Sequence, residues 1–173
     1  NHKSLLIKAY LNELKYDLNV KYYEETKALG TVGALKYLSN KLENDFFLTN
    51  CDTIINANLS DVLKFHQKNK NQITIVASLK EFNIPYGVCE MDSKEKFLQI
   101  DEKPNMNFLV NTGFYILNKN ILKLIPNKKY DMTDLLKQAK GLNKKIGIYP
   151  IDEKSWIDIG NWHEYKKAVK GLE

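Results

Sequence analysis

Two aspartates stand where the sequence could do chemistry. In ENDFFLTNCD, the apolar trio Phe46, Phe47 and Leu48 reads as a buried strand that stops at Asn50, Cys51 and Asp52. In SWIDIGNW, Asp158 again follows an apolar pair and is followed, after Ile159, by a glycine, Gly160. Ligands of open α/β sheets settle outside the carboxyl ends of strands, where loops converge, so both carboxylates are candidate metal ligands. Brought together, they would hold one Mg²⁺ through hard oxygen donors and leave positions for water and phosphate. Either one taken alone is equally well a turn residue or a helix cap.

No other grouping offers comparable chemistry. Cys51 and Cys89 form no CxxC pair, and His2, His66 and His163 have no zinc-site spacing. Cys51 lacks an identifiable partner base and reads as a buried structural thiol; a reducing, cytoplasmic setting is the expectation. All 26 basic residues are lysines, and the net charge is +5. The lysines are spread along polar faces rather than massed in a block with aromatics, so nucleic acid is not an expected partner. No apolar run approaches the roughly 20 residues that cross a bilayer and no signal peptide opens the chain, so no membrane partner is expected.

The elements that must position these carboxylates alternate. Leu5, Leu6, Tyr10, Leu11 and Leu14 fall at helical spacing within residues 4–15, and NVKYYEE alternates as a strand. LGTVGALKYLSNKL reads as a glycine-punctuated turn running into a helix, DFFLTN as a strand, and SDVLKFHQKNK as a helix capped by Asn58 or Ser60. QITIVASL is apolar on both faces; YGVCEMDSKEKFLQIDEKP reads as two strands around a polar turn; FLVNTGFYIL is another strand. MTDLLKQAKG is a helix with Asp131 or Thr133 near its cap and Gly141 past its end. KKIGIYPI and SWIDIG are short strands, and Asn161 with Glu164 opens a last helix in capping-box fashion, with a fraying tail beyond Ala168. Such alternation predicts a single α/β domain over residues 1–173, its sheet covered by helices on both faces.

ALGTVGAL, FFLTNCD, PYGV, IDEKP, LVNTGFYIL and WIDIGNW occur in an order that resembles the sugar-1-phosphate nucleotidyltransferases, the NDP-sugar pyrophosphorylases. The resemblance runs from about Asn1 to Tyr165 and implies a Rossmann-like mixed sheet, Mg²⁺ as cofactor, and an NTP and a sugar-1-phosphate as substrates. It also implies residue roles. Leu29, Gly30, Thr31 and Gly33 would meet the nucleotide, together with Asp52. Asp52 and Asp158 would be the metal carboxylates, with Cys51 standing where the family has glycine. Tyr86, Gly87, Glu102, Lys103, Asn111 and Thr112 would bind the sugar, and Lys103 would also screen the sugar phosphate. By composition alone, IDEKP would be an exposed charged turn.

The family opens with a strand, a glycine-rich loop carrying an arginine, and a Pro-Lys segment, none of which occurs here. The expectation is therefore an N-terminally incomplete catalytic domain, of which this is the C-terminal three quarters, inactive and poorly stable by itself. LTNCDTIINANLSDVLKFH, SLKEFNIPYGV and EKSWIDIG further resemble the branch with paired CBS-type modules ahead of the domain, which would suit guanylyl transfer for bacterial surface sugars. A homo-oligomer is compatible with this reading. Two rivals remain: a metal-dependent glycosyltransferase, although Asp52 is followed by Thr53 and Ile54 rather than by an Asp-x-Asp pattern, and a catalytically silent binding module.

Overall fold

The structure, a computed structural model, describes residues 3–14, 19–160, 162 and 166. Four strands make the main sheet in the order β1 (Asp45–Thr49), β6 (Asn105–Asn118), β3 (Ile73–Asn83), β7 (Ile146–Ile151). β6 runs antiparallel to β1 and β3, while β3 and β7 are parallel, so the sheet is mixed. Two small ladders flank it: β2 (Thr53–Ile55) with β8 (Trp156–Asp158), and the hairpin β4 (Gly87–Met91) with β5 (Phe97–Glu102).

Side-chain alternation along the central strands splits the core in two, because successive residues of a strand face opposite sides. Ile73, Tyr115 and Leu117 pack on one face against Leu35 of α2 (Leu35–Leu38), Ile121 and Leu122 of a 3-10 turn, and Leu135 and Ala139 of α4 (Met132–Gly141). Val76, Phe114 and Ile116 pack on the other face against Val62 of α3 (Leu59–Lys68), joined by Ile55 and Trp156 from the β2–β8 ladder. Helices thus cover both faces. Asn58 is the cap of α3, its side chain accepting from Ser60 N, and Asp131 forms a capping box with Asp134 on α4.

Several expectations need correction. Residues 19–25 are not a strand: alternation stabilises a strand only when a neighbour supplies the ladder, and no described strand lies beside them. α1 (Ser4–Glu13) forms, yet Leu5, Leu6, Ile7 and Tyr10 stay exposed, with no described element over them. β1 is half-buried rather than buried because it is the sheet's edge. Cys51 is exposed, since the chain turns away from the sheet directly after β1; Cys89, on the β4–β5 hairpin, is exposed as well. Gly141 is the last residue of α4, and Asn143 takes the left-handed conformation beyond it. The helix expected from Asn161 and Glu164, and the tail beyond it, lie outside the described residues.

His66 shows how tightly the α3 face is closed. It is 1% exposed; its Nδ1 is 2.8 Å from Thr74 Oγ1, which also accepts from Asn71 at 3.0 Å. Its Nε2 is 3.5 Å from Asp45 Oδ1, close enough for electrostatic attraction but too long for a formed hydrogen bond. Burial pushes the His66 pKa below 6.5, with Asp45 partly opposing. A histidine held neutral stabilises the fold above its unfolded pKa, and that contribution is lost as pH falls and the unfolded state takes up the proton first. Thermal stability should therefore drop as pH is lowered from about 7.5 to 5.5, through the unfolded histidine value. In His66→Asn that decline should be shallower; an identical decline would remove His66 as its source.

Candidate active site

Asp52 lies in the turn between β1 and β2, and Asp158 ends β8. Their encounter is enforced by backbone pairing: Thr53 is opposite Asp158 in the β2–β8 register, and Ile159 N donates to Asp52 O at 2.9 Å. The two side chains converge over Gly160. A Cβ built there would stand 2.8 Å from Asp52 Oδ2 and 3.1 Å from Asp158 Oδ1, so these oxygens are at most 5.9 Å apart, the sum of the two distances. Gly160 N also donates to Asp158 Oδ1 at 3.0 Å, fixing that carboxylate. Both aspartates are half-buried.

The opposite wall comes from β6. Opposite the Val76–Ala77 step of β3, two residues of β6, Thr112 and Gly113, have no partner: Val76 faces Phe114 and Ala77 faces Asn111. Such a bulge re-aims side chains and bends the strand. Gly113 has φ +79°, which other residues rarely adopt, and a Cβ there would meet Asn50 Nδ2 at 2.6 Å. Thr112 is buried; its hydroxyl donates to Val76 O at 2.8 Å and accepts from Phe114 N at 3.3 Å. Its carbonyl accepts from Thr53 Oγ1 at 2.8 Å, which joins the bulge to the aspartate ladder. The result is a cavity of about 210 Å³ lined by Asn50, Asp52, Thr53, Asn111, Thr112, Gly113, Tyr115, Trp156 and Asp158. Burial raises the Tyr115 phenol above its ordinary 10.0, and a hydrogen bond from Asn111 pulls the other way.

Of the residues singled out in the sequence, Asp52, Asp158, Asn111 and Thr112 therefore share one cavity. A second group meets at the base of the β4–β5 hairpin. Lys103 N donates to Tyr86 O at 3.3 Å, Gly87 pairs with Glu102, and a Cβ on Gly87 would sit 2.9 Å from Glu102 Oε2. All four are exposed, as suits groups that meet a ligand or solvent. The third group, Leu29, Gly30, Thr31 and Gly33, is tied to the start of α4. Thr31 N donates to Asp131 Oδ1, Met132 N donates to Thr31 Oγ1, and Tyr130 N donates to Leu29 O. Thr53, Tyr115 and Trp156 of the cavity wall were not anticipated. Each looks like an ordinary strand residue, and only the register brings it to the site.

A family model described as nucleotidyl transferase matches residues 1–173. The chain belongs to the nucleotidyl transferase family. It is 34% identical over 157 residues to a mannose-1-phosphate guanyltransferase of Yarrowia lipolytica, covering 86% of this chain and 42% of that protein. It is 30% identical over 158 residues to a UTP–glucose-1-phosphate uridylyltransferase of Synechocystis, covering 84% of this chain and 40% of that protein. The chain therefore spans less than half the length of these nucleotidyl transferase relatives. The crystal structure of HddC from Yersinia pseudotuberculosis shares the fold, with TM-score 0.73 and 22% identity over 99% of this chain and 75% of that one.

The two aspartates fit a divalent cation: both donors are hard oxygens, and the glycine beneath them leaves their approach unobstructed. Among the described residues no third acidic, histidine or cysteine side chain joins them, so further positions are left for water or phosphate. Gly160→Ala is expected to crowd the pair and weaken Mn²⁺ binding roughly tenfold, the size of effect typical of residues that orient ligands. Its melting temperature should stay near the wild-type value. Unaltered Mn²⁺ affinity would mean that the two carboxylates do not meet over Gly160.

Proposed function

We propose that the full-length protein transfers a nucleotidyl group from an NTP to a sugar-1-phosphate. An oxygen of the sugar phosphate attacks the α-phosphorus; the new P–O bond forms as the bond to the β-phosphate bridging oxygen breaks, and pyrophosphate leaves. Products are an NDP-sugar and pyrophosphate. The observation that carries this reading is the convergence of Asp52 and Asp158 over Gly160, in a family whose members are nucleotidyl transferases. Guanylyl transfer is the finer form we favour, supported by the 34% identity to a guanyltransferase.

In-line phosphoryl chemistry needs positioning and charge neutralisation rather than a covalent nucleophile. Asp52 and Asp158 would hold Mg²⁺, which when bound supplies neutralising charge to the reacting phosphates. Lys103 presents a single flexible ammonium suited to a phosphate oxygen of the sugar-1-phosphate. Glu102, Tyr86, Gly87, Asn111 and Thr112 would orient the sugar, with Thr112 acting through its backbone, because its hydroxyl is already spent on Val76 O. Leu29, Gly30, Thr31 and Gly33 would line the nucleotide.

The test is pyrophosphate release by the full-length protein with each of four NTPs, Mg²⁺ and a panel of sugar-1-phosphates. Release with one pairing is expected, and Asp52→Asn or Asp158→Asn should each lower it by about 10²-fold or more, as for the loss of one preorganised electrostatic contact in a transition state. Near-normal turnover in either variant would rule out the two-carboxylate site. Nucleotide binding without release under any pairing would point to a silent binding module instead.

A further inference from the structure

Tyr115 stands on β6, its ring packed in the α4-side core and only 5% exposed, yet it also lines the cavity beside the two aspartates. Its hydroxyl oxygen accepts a 2.6 Å hydrogen bond from Asn111 Nδ2. At the other end of the same amide, Asn111 Oδ1 accepts from Gly113 N at 3.2 Å. A backbone N–H can only donate, so Gly113 determines which end of the amide is oxygen, and the nitrogen must then face the phenol.

With both ends held, the Asn111 amide keeps one N–H and one oxygen lone pair for a ligand, its orientation fixed. That combination matches a hydroxyl group, which both donates and accepts, and mismatches a phosphate oxygen, which only accepts. Resting on the sugar-1-phosphate reading above, we propose that Tyr115 is a positioning residue that locks Asn111 to receive a sugar hydroxyl. The bulge makes this geometry available: with Thr112 and Gly113 looped out of the ladder, Asn111 can reach Tyr115, four residues further along the strand.

Tyr115→Phe keeps the ring and removes only the hydroxyl. In the full-length protein, KM for the sugar-1-phosphate is expected to rise about tenfold, as for one lost hydrogen bond, with KM for the NTP and the melting temperature near wild type. A purely structural tyrosine would move stability or both KM values together. In an Asn111→Ala background, Tyr115→Phe should add nothing, because the group it positions is gone. Calorimetric titration of the sugar-1-phosphate into the same four proteins reads the same pattern without turnover. An unchanged sugar-phosphate affinity in Tyr115→Phe, or losses that add in the double variant, overturns the assignment. Absence of pyrophosphate release in a wild type that still shows the affinity pattern would instead overturn the reaction and leave the sugar site standing.

Discussion

Two carboxylates that repel each other are held together by a three-residue ladder. Like charges within about 6 Å cost on the order of 1 kcal/mol even at water-like screening, and more where the site is half-buried. The β2–β8 pairing and the Ile159 N to Asp52 O bond hold the pair against that cost. A divalent cation bound between the two carboxylates would offset that repulsion. Much of the remaining structure can be understood as the support this juxtaposition requires.

Support comes from two directions. The ladder rests on the α3-side core, where Ile55 and Trp156 pack against the cluster of Val62, Val76, Phe114 and Ile116. It is also joined to the central strand β6 by the Thr53 hydroxyl bonded to Thr112 O. Thr112 in turn is anchored on Val76 O, so the aspartate side and the Asn111 side of the cavity hang on one buried staple. By contrast, Tyr86, Gly87, Glu102 and Lys103 lie on an exposed hairpin outside both core clusters. The two aspartates thus sit on a framework fixed by the core, and the hairpin residues on a less buried rim.

The long, strongly patterned elements were legible in the sequence, because burial on both faces leaves an unmistakable apolar run, as in QITIVASL. Asp52 and Asp158 stood out as candidates through local context, Asn111 and Thr112 only through the resemblance to the family. What stayed hidden was set by register and neighbours rather than by composition. β2 is only three residues long, too short to show a period, yet it carries the pairing that joins Asp52 to Asp158. Tyr115 reads as one more core residue until the bulge places its hydroxyl beside Asn111. NVKYYEE has the alternation of a strand but no described partner, and Cys51 follows an apolar run yet lies in an exposed turn. In both cases the tertiary surroundings overrode the local pattern.

The central claim is that Asp52 and Asp158 form a single cation site. It is tested most directly by titrating Mn²⁺, which shares the oxygen preference of Mg²⁺, into wild type, Asp52→Asn, Asp158→Asn and the double variant of the full-length protein. If the two carboxylates share one ion, each single substitution removes most of the affinity and the double variant is little worse than either, since interacting residues are not additive. Losses that simply add, or affinity kept in one single variant, would mean that the two aspartates do not act on the same ion.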